Sequence, residues 1–303
     1  MDIRTDLALE LRDGAIKIEN EKLCDVDFSE NVEGDCKITK IKIGEKSEPL
    51  LGCPAGNYVT VEFPHFGAAE TEKFDFLCTI LTRELTALIK GKTKKLPRRV
   101  LVACLGNADI SADALGPLTA KSLIVTGHLK KLDSGLFESF GGVELCALSL
   151  GVMAQTGIES ADIIKSVVAK TSPEAVIAVD ALSSRELSRL ASTLQLSDAG
   201  ICPGSGIGNK RAALDERTLG VPVFSIGVPT MVEISALVTD ALGLLGLSCE
   251  GSVRERLGKN GRLLVAPKDS AIIIADLAKL IGFAIDKTFI SDLDYSEIAR
   301  LTS

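Results

Sequence analysis

The chain of 303 residues contains no Trp, two Tyr and two His. The ten Phe are scattered, so the chain lacks the aromatic platforms on which single-stranded nucleic acid stacks. A net charge of −7 also offers no broad basic field for nucleic acid or for an anionic membrane. We therefore expect no direct nucleic-acid partner.

Histidine is also scarce. His65 and His128 lie in no G-x-S-x-G or H-E-x-x-H motif, which disfavours a serine triad and a zinc-peptidase site.

Long apolar runs, a signal sequence and paired cysteines are also missing. The apolar runs are well below the roughly 18 residues that a membrane-spanning helix needs. The eight cysteines include no C-x-x-C pair, which disfavours a bound metal, and we expect neither a cofactor nor a membrane partner. The composition predicts a reduced, cytoplasmic protein. A cysteine nucleophile stays open at Cys104 or Cys202, although a lone Cys in an apolar strand such as Cys104 is usually inert.

The order of the sequence patterns predicts one α/β domain over residues 1–303. Residues 20–66 have the alternating pattern of half-buried strands, and we expect an antiparallel or edge region there. From residue 100 to 286, apolar runs alternate with helical patterns, which is typical of a mostly parallel, twisted sheet with helices on both faces. After a helix at 70–90, the predicted strands are "VLVACL", "AVIAVD", "LQLSD", "VPVFSIGVP" and "RLLVAP", and the predicted helices are 116–128, 158–170, 185–192, 232–245 and 270–286.

Two of these helices have a predicted start signal. The sequences Thr156-x-x-Glu159 and Ser183-x-x-Glu186 match the capping box, in which two side chains accept hydrogen bonds from backbone N–H groups of the first helical turn. We therefore expect helices to begin at these two positions.

Two aspartates follow strands of the predicted core. Asp113 comes after "VLVACL" in the loop "GNADISADALGP", and Asp180 is the last residue of "AVIAVD". Because ligand sites of open α/β sheets lie at the carboxyl ends of the strands, both side chains are expected at one rim. Two neighbouring carboxylates cannot both ionise easily, so such a pair can act as acid and base around a water, as in peptide hydrolysis. The alternative is that each aspartate only caps the turn or helix that follows it.

The glycine-rich loop "PGSGIGNKR" at 203–211 raises a different possibility. Its backbone amides, with Lys210 and Arg211, could bind a phosphate. The loop has no Gly-Lys-Ser/Thr ending and no regular dinucleotide-site context, and the alternative is a loop whose glycines allow positive φ or close backbone approach.

Several long segments, in the same order and across nearly the whole length, resemble the germination protease family of endospore-forming bacteria. They are "IRTDLALE", "GNYVTVE", "LGNADISADALGPLTAKSLIVTGHL", "GVMAQTGIES", "VDALSSR", "LSDAGICPGSGIGNKR", "TLGVPVFSIGVPTMVE" and "LLVAPKD". Two differences from the family are that the loop "NADISADALGP" lacks the Trp and Thr-Pro often found there, and that Cys202 stands where many relatives have His.

This resemblance implies a phosphorylase/hydrolase-like α/β fold, shared with the hydrogenase maturation proteases. It implies an endopeptidase that begins the degradation of small acid-soluble spore proteins at germination, in the spore core, as a homotetramer. The family is regarded as using an aspartic dyad, which by motif is Asp113 and Asp180, the pair also selected by position after the strands. One would deprotonate the attacking water, and the other would assist the scissile carbonyl and the leaving amine.

The resemblance also implies a role for residues 5–10, "TDLALE". Family substrates are cut at a short acidic-apolar-Ala-x-Glu sequence, so we expect a zymogen that cuts itself between Asp6 and Leu7 and releases a propeptide of residues 1–6. Relatives carry a longer prosegment. The alternative is an ordinary edge strand or flexible terminus with chance similarity.

Four further residues are expected to support catalysis because of their position at the rim. Gln155, Thr156 and Gly157 are expected to position substrate, with helix capping as the alternative role of Thr156. Asn107 is expected to orient Asp113 or to donate to the oxyanion. Two other functions stay open: a metal-dependent maturation-type protease with the two aspartates as ligands, and a non-catalytic nucleotide-binding relative.

Overall fold

One mixed β-sheet joins all nine strands in the residues that the computed structural model describes, which are 5–19, 25–65, 70–204, 212–247 and 263–290. The strands are β1 (Val26–Glu33), β2 (Cys36–Ile43), β3 (Gly56–Glu62), β4 (Arg99–Cys104), β5 (Glu144–Ser149), β6 (Ala175–Ser184), β7 (Thr193–Ser197), β8 (Val223–Glu233) and β9 (Leu264–Val265).

Helices connect and cover these strands. They are α1 (Ala8–Glu19), α2 (Glu48–Leu51), α3 (Thr71–Thr93), α4 (Leu115–Lys121), α5 (Leu129–Leu132), α6 (Ser134–Ser139), α7 (Met153–Thr156), α8 (Ser160–Thr171), α9 (Glu216–Leu219), α10 (Ile234–Leu244) and α11 (Ser270–Phe289). Two short 3₁₀ turns, Ser111–Asp113 and Leu187–Arg189, complete them. In the described parts of the chain, no helix has the length and apolar character that crossing a membrane requires.

The strand order in the sheet is β1-β2-β3-β7-β8-β6-β4-β5, with β9 beside β8. The strands β8, β6, β4 and β5 are parallel to one another, whereas β1, β2, β3 and β7 form antiparallel pairs that join the sheet at the other side of β8. The parallel strands are joined by helical crossovers, as parallel connections require. The predicted α/β class is confirmed, and the carboxyl ends of the parallel strands form the rim on which the candidate site lies.

The central strands of the sheet are buried on both faces. On one face, α3, α4 and α11 pack over the central strands, and the rings of Phe74 and Phe283 meet edge to face with centroids 5.5 Å apart. On the other face, α8 and α9 cover β4 and β6, while α1 covers β2 and β3. This double burial explains why β6 begins with the continuous apolar run "AVIAV" rather than an alternating pattern.

The predicted helix at 116–128 is wrong in its second half, because α4 ends at Lys121. Beyond this point the backbone N–H groups find partners outside the helix. The N–H of Ile124 donates to the buried carboxyl of Asp286 in α11, and those of Thr126 and Gly127 donate to the carbonyl of Leu145 in β5. Tertiary hydrogen bonds therefore end the helix, although its sequence pattern continues.

The predicted helix at 185–192 is also wrong. Ser183 belongs to β6, which continues to Ser184, so the expected capping box does not form. The carboxylate of Glu10 in α1 instead accepts the N–H groups of Arg185 and Glu186 at 2.7 and 3.1 Å. A residue from the distant N-terminal helix therefore supplies the hydrogen bonds that a local cap was expected to supply.

Several elements were not predicted from the sequence, and two of them shape the region of the site. The first is α1, which begins in the segment expected to be a cleavage site or an edge strand; its residues Ala8, Leu11 and Ala15 pack toward β2 and β3 at helical spacing. The second is β5, which occupies the edge beside β4 in a segment to which the sequence patterns assigned no element. The glycine-rich loop is described only as far as Gly204, and its residues 205–211 lie outside the described residues.

The buried carboxyl of Asp286 gives the stability a pH dependence. Asp286 is fully buried, and burial raises its pKa well above the usual range even though the N–H of Ile124 lowers it. A raised pKa means that the folded chain holds a proton that the unfolded chain releases near about pH 4. The stabilisation is therefore complete below that pH and is lost as the pH rises toward the folded-state pKa.

We expect the wild type to lose stability relative to Asp286→Asn as the pH rises from about 4, the usual carboxyl range, toward the raised folded-state pKa, by up to about 1.4 kcal/mol per pH unit. The Asn variant keeps the shape and cannot ionise. Urea unfolding of both proteins across this range measures the difference. A stability difference that does not change with pH would contradict the neutral buried carboxyl.

Candidate active site

The chain leaves β4 by a turn that places Asp113 at the rim. The N–H of Leu105 still pairs with the carbonyl of Val179 in β6 at 2.8 Å, and Gly106 then takes a φ of +112°. After the 3₁₀ turn the chain comes back, and the N–H of Asn107 donates to the carbonyl oxygen of Asp113 at 3.0 Å and to its carboxylate Oδ2 at 2.9 Å. The carboxylate is therefore held against the end of β4.

A residue of β8 fixes the same turn from another direction. Thr230 is fully buried, and its hydroxyl donates to the carbonyl of Ala112 at 2.6 Å. The residue before Asp113 is thus bonded to a strand that is separated from β4 by β6. Thr230 was not predicted as a site residue, since nothing around it in the sequence points to the loop that it holds.

Asp180 lies within β6 and not at its end, because the strand continues four residues further than expected, to Ser184. Asp180 is 7 % exposed, and its Oδ1 accepts the N–H of Ala181 at 2.9 Å. In the parallel register Cys104 pairs with Val179, so the next residue, Leu105, lies beside Asp180. The chain from Leu105 to Asn107 therefore links the two aspartates, and both lie at the same part of the rim.

Asn107 and Gln155 contact each other beside this pair. The Gln155 amide nitrogen donates to Asn107 Oδ1 at 2.8 Å and to the carboxylate of Asp109 at 3.0 Å. The N–H of Asp109 in turn donates to Asn107 Oδ1 at 3.0 Å. Asp109 was not predicted as a site residue, although it lies in the same loop as Asp113, and that position was the signal that could have identified it.

Thr156 and Gly157 lie at the end of the short helix α7. Gly157 has a φ of +72°, and its N–H closes the helix on the carbonyl of Met153 at 2.7 Å. The hydroxyl of Thr156 accepts the N–H of Ile158 at 3.2 Å. The expected capping box with Glu159 is absent, because α8 begins at Ser160 with Glu159 itself as the residue before it. Both residues therefore shape the loop that leads into α8.

The segment with the expected self-cleavage site is docked against the carboxyl end of β6. Asp6 and Ser183 exchange two hydrogen bonds, from the Asp6 N–H to the Ser183 carbonyl at 3.0 Å and from the Ser183 N–H to the Asp6 carboxylate at 2.9 Å. Leu7 is fully buried, and Ala8 opens α1. The Asp6–Leu7 bond thus lies close to the strand that carries Asp180.

A buried charge cluster holds α1 in this place. Glu10 is 5 % exposed, and burial raises its pKa against the lowering effect of its hydrogen bonds and of Arg189. The Arg189 guanidinium lies 3.4 Å from the Glu10 carboxylate and 3.1 Å from that of Glu62 in β3. One arginine therefore joins the N-terminal helix to the sheet.

Burial disfavours one of the two candidate cysteine nucleophiles. Cys104 is fully buried in β4, and burial raises the pKa of its thiol to about 12. A thiol with this pKa is protonated near neutral pH, and only the thiolate is a strong nucleophile. Cys202 is half-buried in the bend before residue 205. In the described ranges, no three His, Cys, Asp or Glu side chains are grouped as a metal site would need.

Comparisons with known proteins agree on one kind of protein. A family model for germination proteases, Peptidase A25, matches residues 5–256. The germination protease of Oceanobacillus iheyensis is 40 % identical over 245 residues, which cover 79 % of this chain and 66 % of that protein. The germination protease of Clostridium tetani is 32 % identical over 98 % of both chains, and that of Clostridium perfringens is 35 % identical over 94 % of both.

These matches place the chain among the peptidases. The chain belongs to the germination protease family, as its sequence motifs predicted. Among solved structures, the NiFe hydrogenase maturation protease HycI from Thermococcus kodakarensis KOD1 is 17 % identical and aligns with a TM-score of 0.37 over 67 % of this chain and 98 % of that chain. A likeness of this size supports no inference about function.

Proposed function

We propose that this protein is an aspartic-type endopeptidase in which Asp113 and Asp180 activate the water that attacks the peptide bond. The observation that carries this proposal is their placement: Asp113 is bonded to Asn107, two residues after the Leu105 that lies beside Asp180. Two carboxyls at one part of the rim favour sharing a single proton. Family membership supports the same reaction class.

In the proposed reaction, the ionised carboxylate takes a proton from water while the water oxygen bonds to the carbonyl carbon. The protonated carboxyl donates to the carbonyl oxygen, which becomes the hydroxyl of a tetrahedral intermediate. Breakdown of the intermediate breaks the carbon–nitrogen bond, and a proton passes to the leaving amine. Asn107, with Gln155 bonded to it, fixes the loop that bears Asp113, and we assign Gln155, Thr156 and Gly157 to the wall that positions the substrate.

We propose that the substrates are small acid-soluble spore proteins, cut at germination in the cytoplasm of the spore core by a homotetramer. We further propose that the chain is a zymogen and processes itself between Asp6 and Leu7. The docked position of this bond beside β6 supports the second proposal, since the bond is held near Asp180 before any substrate arrives. Neither nucleic acid nor a membrane takes part in this scheme.

Mass spectrometry of the purified protein, alone and with a synthetic spore-protein peptide, tests the proposal. We expect the wild type to lose residues 1–6 and to cut the peptide after an acidic residue. We expect both reactions to persist in a chelator, because the water is activated by carboxylates. Loss of cleavage with chelator and recovery with one divalent metal would favour the metal-dependent alternative, and a protein that cuts neither bond would contradict the assignment.

A further inference from the structure

The N-terminal segment makes an unusual set of contacts with a single side chain of β7. Gln195 is 7 % exposed, and both polar atoms of its amide are used by residues 6–8. Its oxygen accepts the N–H of Ala8 at 2.8 Å, and its nitrogen donates to the carbonyl of Asp6 at 3.1 Å. One amide therefore binds the peptide backbone on both sides of Leu7.

The contacts are of the kind that bind a peptide by its main chain and one acidic side chain. Both of these hydrogen bonds of Gln195 are made to backbone atoms of the segment. Ser183 also contacts the segment through its backbone, and its N–H binds the Asp6 carboxylate, a charge-assisted hydrogen bond that requires an acceptor side chain at this position. Leu7, between these contacts, is fully buried, so the site also has room for one apolar side chain.

The register of the sheet places these contacts next to the proposed catalytic pair. Gln195 lies opposite Gly227 of β8, and Gly227 lies opposite Asp180 of β6. Directly opposed residues of neighbouring strands share a face of the sheet, so Gln195 and Asp180 are on the same face. With strands about 4.8 Å apart, their backbones are separated by about 10 Å, which about three extended peptide residues span.

The amide of Gln195 is shielded from water by the segment that it binds. Without residues 6–8, its oxygen and nitrogen would be open to solvent and available to the backbone of another peptide. The segment that lies there has the acidic-apolar-Ala sequence, Asp6-Leu7-Ala8, which was expected to be cut.

We propose that residues 5–8 occupy the protein's own peptide-binding site, and that Gln195 is the residue that binds the substrate backbone there. The site takes a peptide with Asp followed by a Leu-sized residue and Ala; Ser183 binds the Asp and Gln195 binds the backbone around the Leu. This inference rests on the proposed peptidase function and adds to it a residue that selects the substrate. Gln195 acts by positioning the bond toward Asp113 and Asp180, not by moving protons.

The test measures binding in the full chain. Leu7→Asn puts an amide into the buried place of Leu7 and should release the segment, so that a fluorescein-labelled peptide of sequence IRTDLALELR binds in its place. Adding Gln195→Met, which has a similar length and no hydrogen-bonding amide, should weaken this binding about 10-fold or more. The same peptide with Leu in place of Asp should bind weakly to either protein.

A matched control lies on the same strand and face. Thr193 is also buried in β7, and its hydroxyl has no hydrogen-bond partner among the residues that the structure describes. Thr193→Val in the Leu7→Asn background should leave the affinity for the peptide unchanged. If thermal unfolding shows that Leu7→Asn does not fold, the same titrations are made with Asp6→Ala, which removes the carboxylate bound by Ser183.

The outcomes separate this inference from the proposed function. Peptide binding that Gln195→Met leaves unchanged, or no binding to a folded released variant, overturns the site, even if the wild type cuts the peptide. In cleavage assays Gln195→Met should raise KM for the peptide more than it lowers kcat. Gln195-dependent binding of a peptide that the wild type never cuts keeps the binding site and contradicts the peptidase proposal.

Discussion

Replacing Asp180 or Asp113 by Asn should lower kcat for peptide cleavage by about 10²- to 10⁴-fold, the range that general acid–base groups contribute. An amide keeps the shape and hydrogen bonding of each side chain but can neither take a proton from water nor share one with its partner. Asp180 Oδ1 can still accept the N–H of Ala181 when the residue is Asn, so the strand should be preserved. Peptide affinity should change little.

The control for this exchange is Asp27→Asn, an exposed residue of β1 at the far edge of the sheet. This variant carries the same chemical change away from the rim and should cut the peptide at the wild-type rate. Steady-state kinetics on all three proteins, with circular dichroism to show folding, measures the effect. Folded Asp113→Asn and Asp180→Asn proteins with wild-type kcat would remove the dyad from the mechanism.

Gly106→Ala should reduce activity by about 10²-fold, because it displaces Asp113 rather than replacing it. A Cβ at this position would come within 2.1 Å of the Asp113 carbonyl oxygen and 3.3 Å of its carboxylate Oδ1. The contacts are with backbone that Thr230 and Asn107 hold in place, so the turn must shift as a whole. The φ of +112° adds backbone strain of about 1–3 kcal/mol.

Gly220→Ala is the matched control, because it introduces backbone strain without displacing a neighbouring residue. Gly220 also has a positive φ, +73°, but a Cβ there meets nothing within 4 Å. It should cost about 1 kcal/mol of stability and leave kcat unchanged. Thermal unfolding and peptide kinetics on both variants distinguish the two effects. A folded Gly106→Ala protein with full activity would mean that the position of Asp113 does not matter for the reaction.

The parallel core was predictable because its strands are buried on both faces and therefore read as continuous apolar runs. "AVIAVD" and "VPVFSIGVP" have this character, and both form central strands. The helix at 185–192 was wrong because its local cap signal competes with Glu10, which approaches from α1. The end of α4 was missed for the same reason, since the carboxyl of Asp286 is distant in sequence. Local patterns carry no information about such partners.

The residues of the candidate site also differ in whether the sequence alone could identify them. Asp113 and Asp180 could be selected from sequence because each follows an apolar run whose end must lie at the rim. Gln195 and Thr230 could not, because each is a polar residue inside a strand, and its importance comes from what crosses that strand in three dimensions. Their side chains matter through residues 6–8 and through the turn before Asp113.

Whether the two aspartates act as one unit is tested most directly by kcat of the double variant Asp113→Asn/Asp180→Asn beside the two single variants. Groups that share one catalytic task lose little more together than either loses alone. We expect the double variant to be about as slow as the slower single variant, with all three still folded and binding peptide. Losses that multiply would show that the two carboxyls contribute independently, and would contradict a shared proton at the rim.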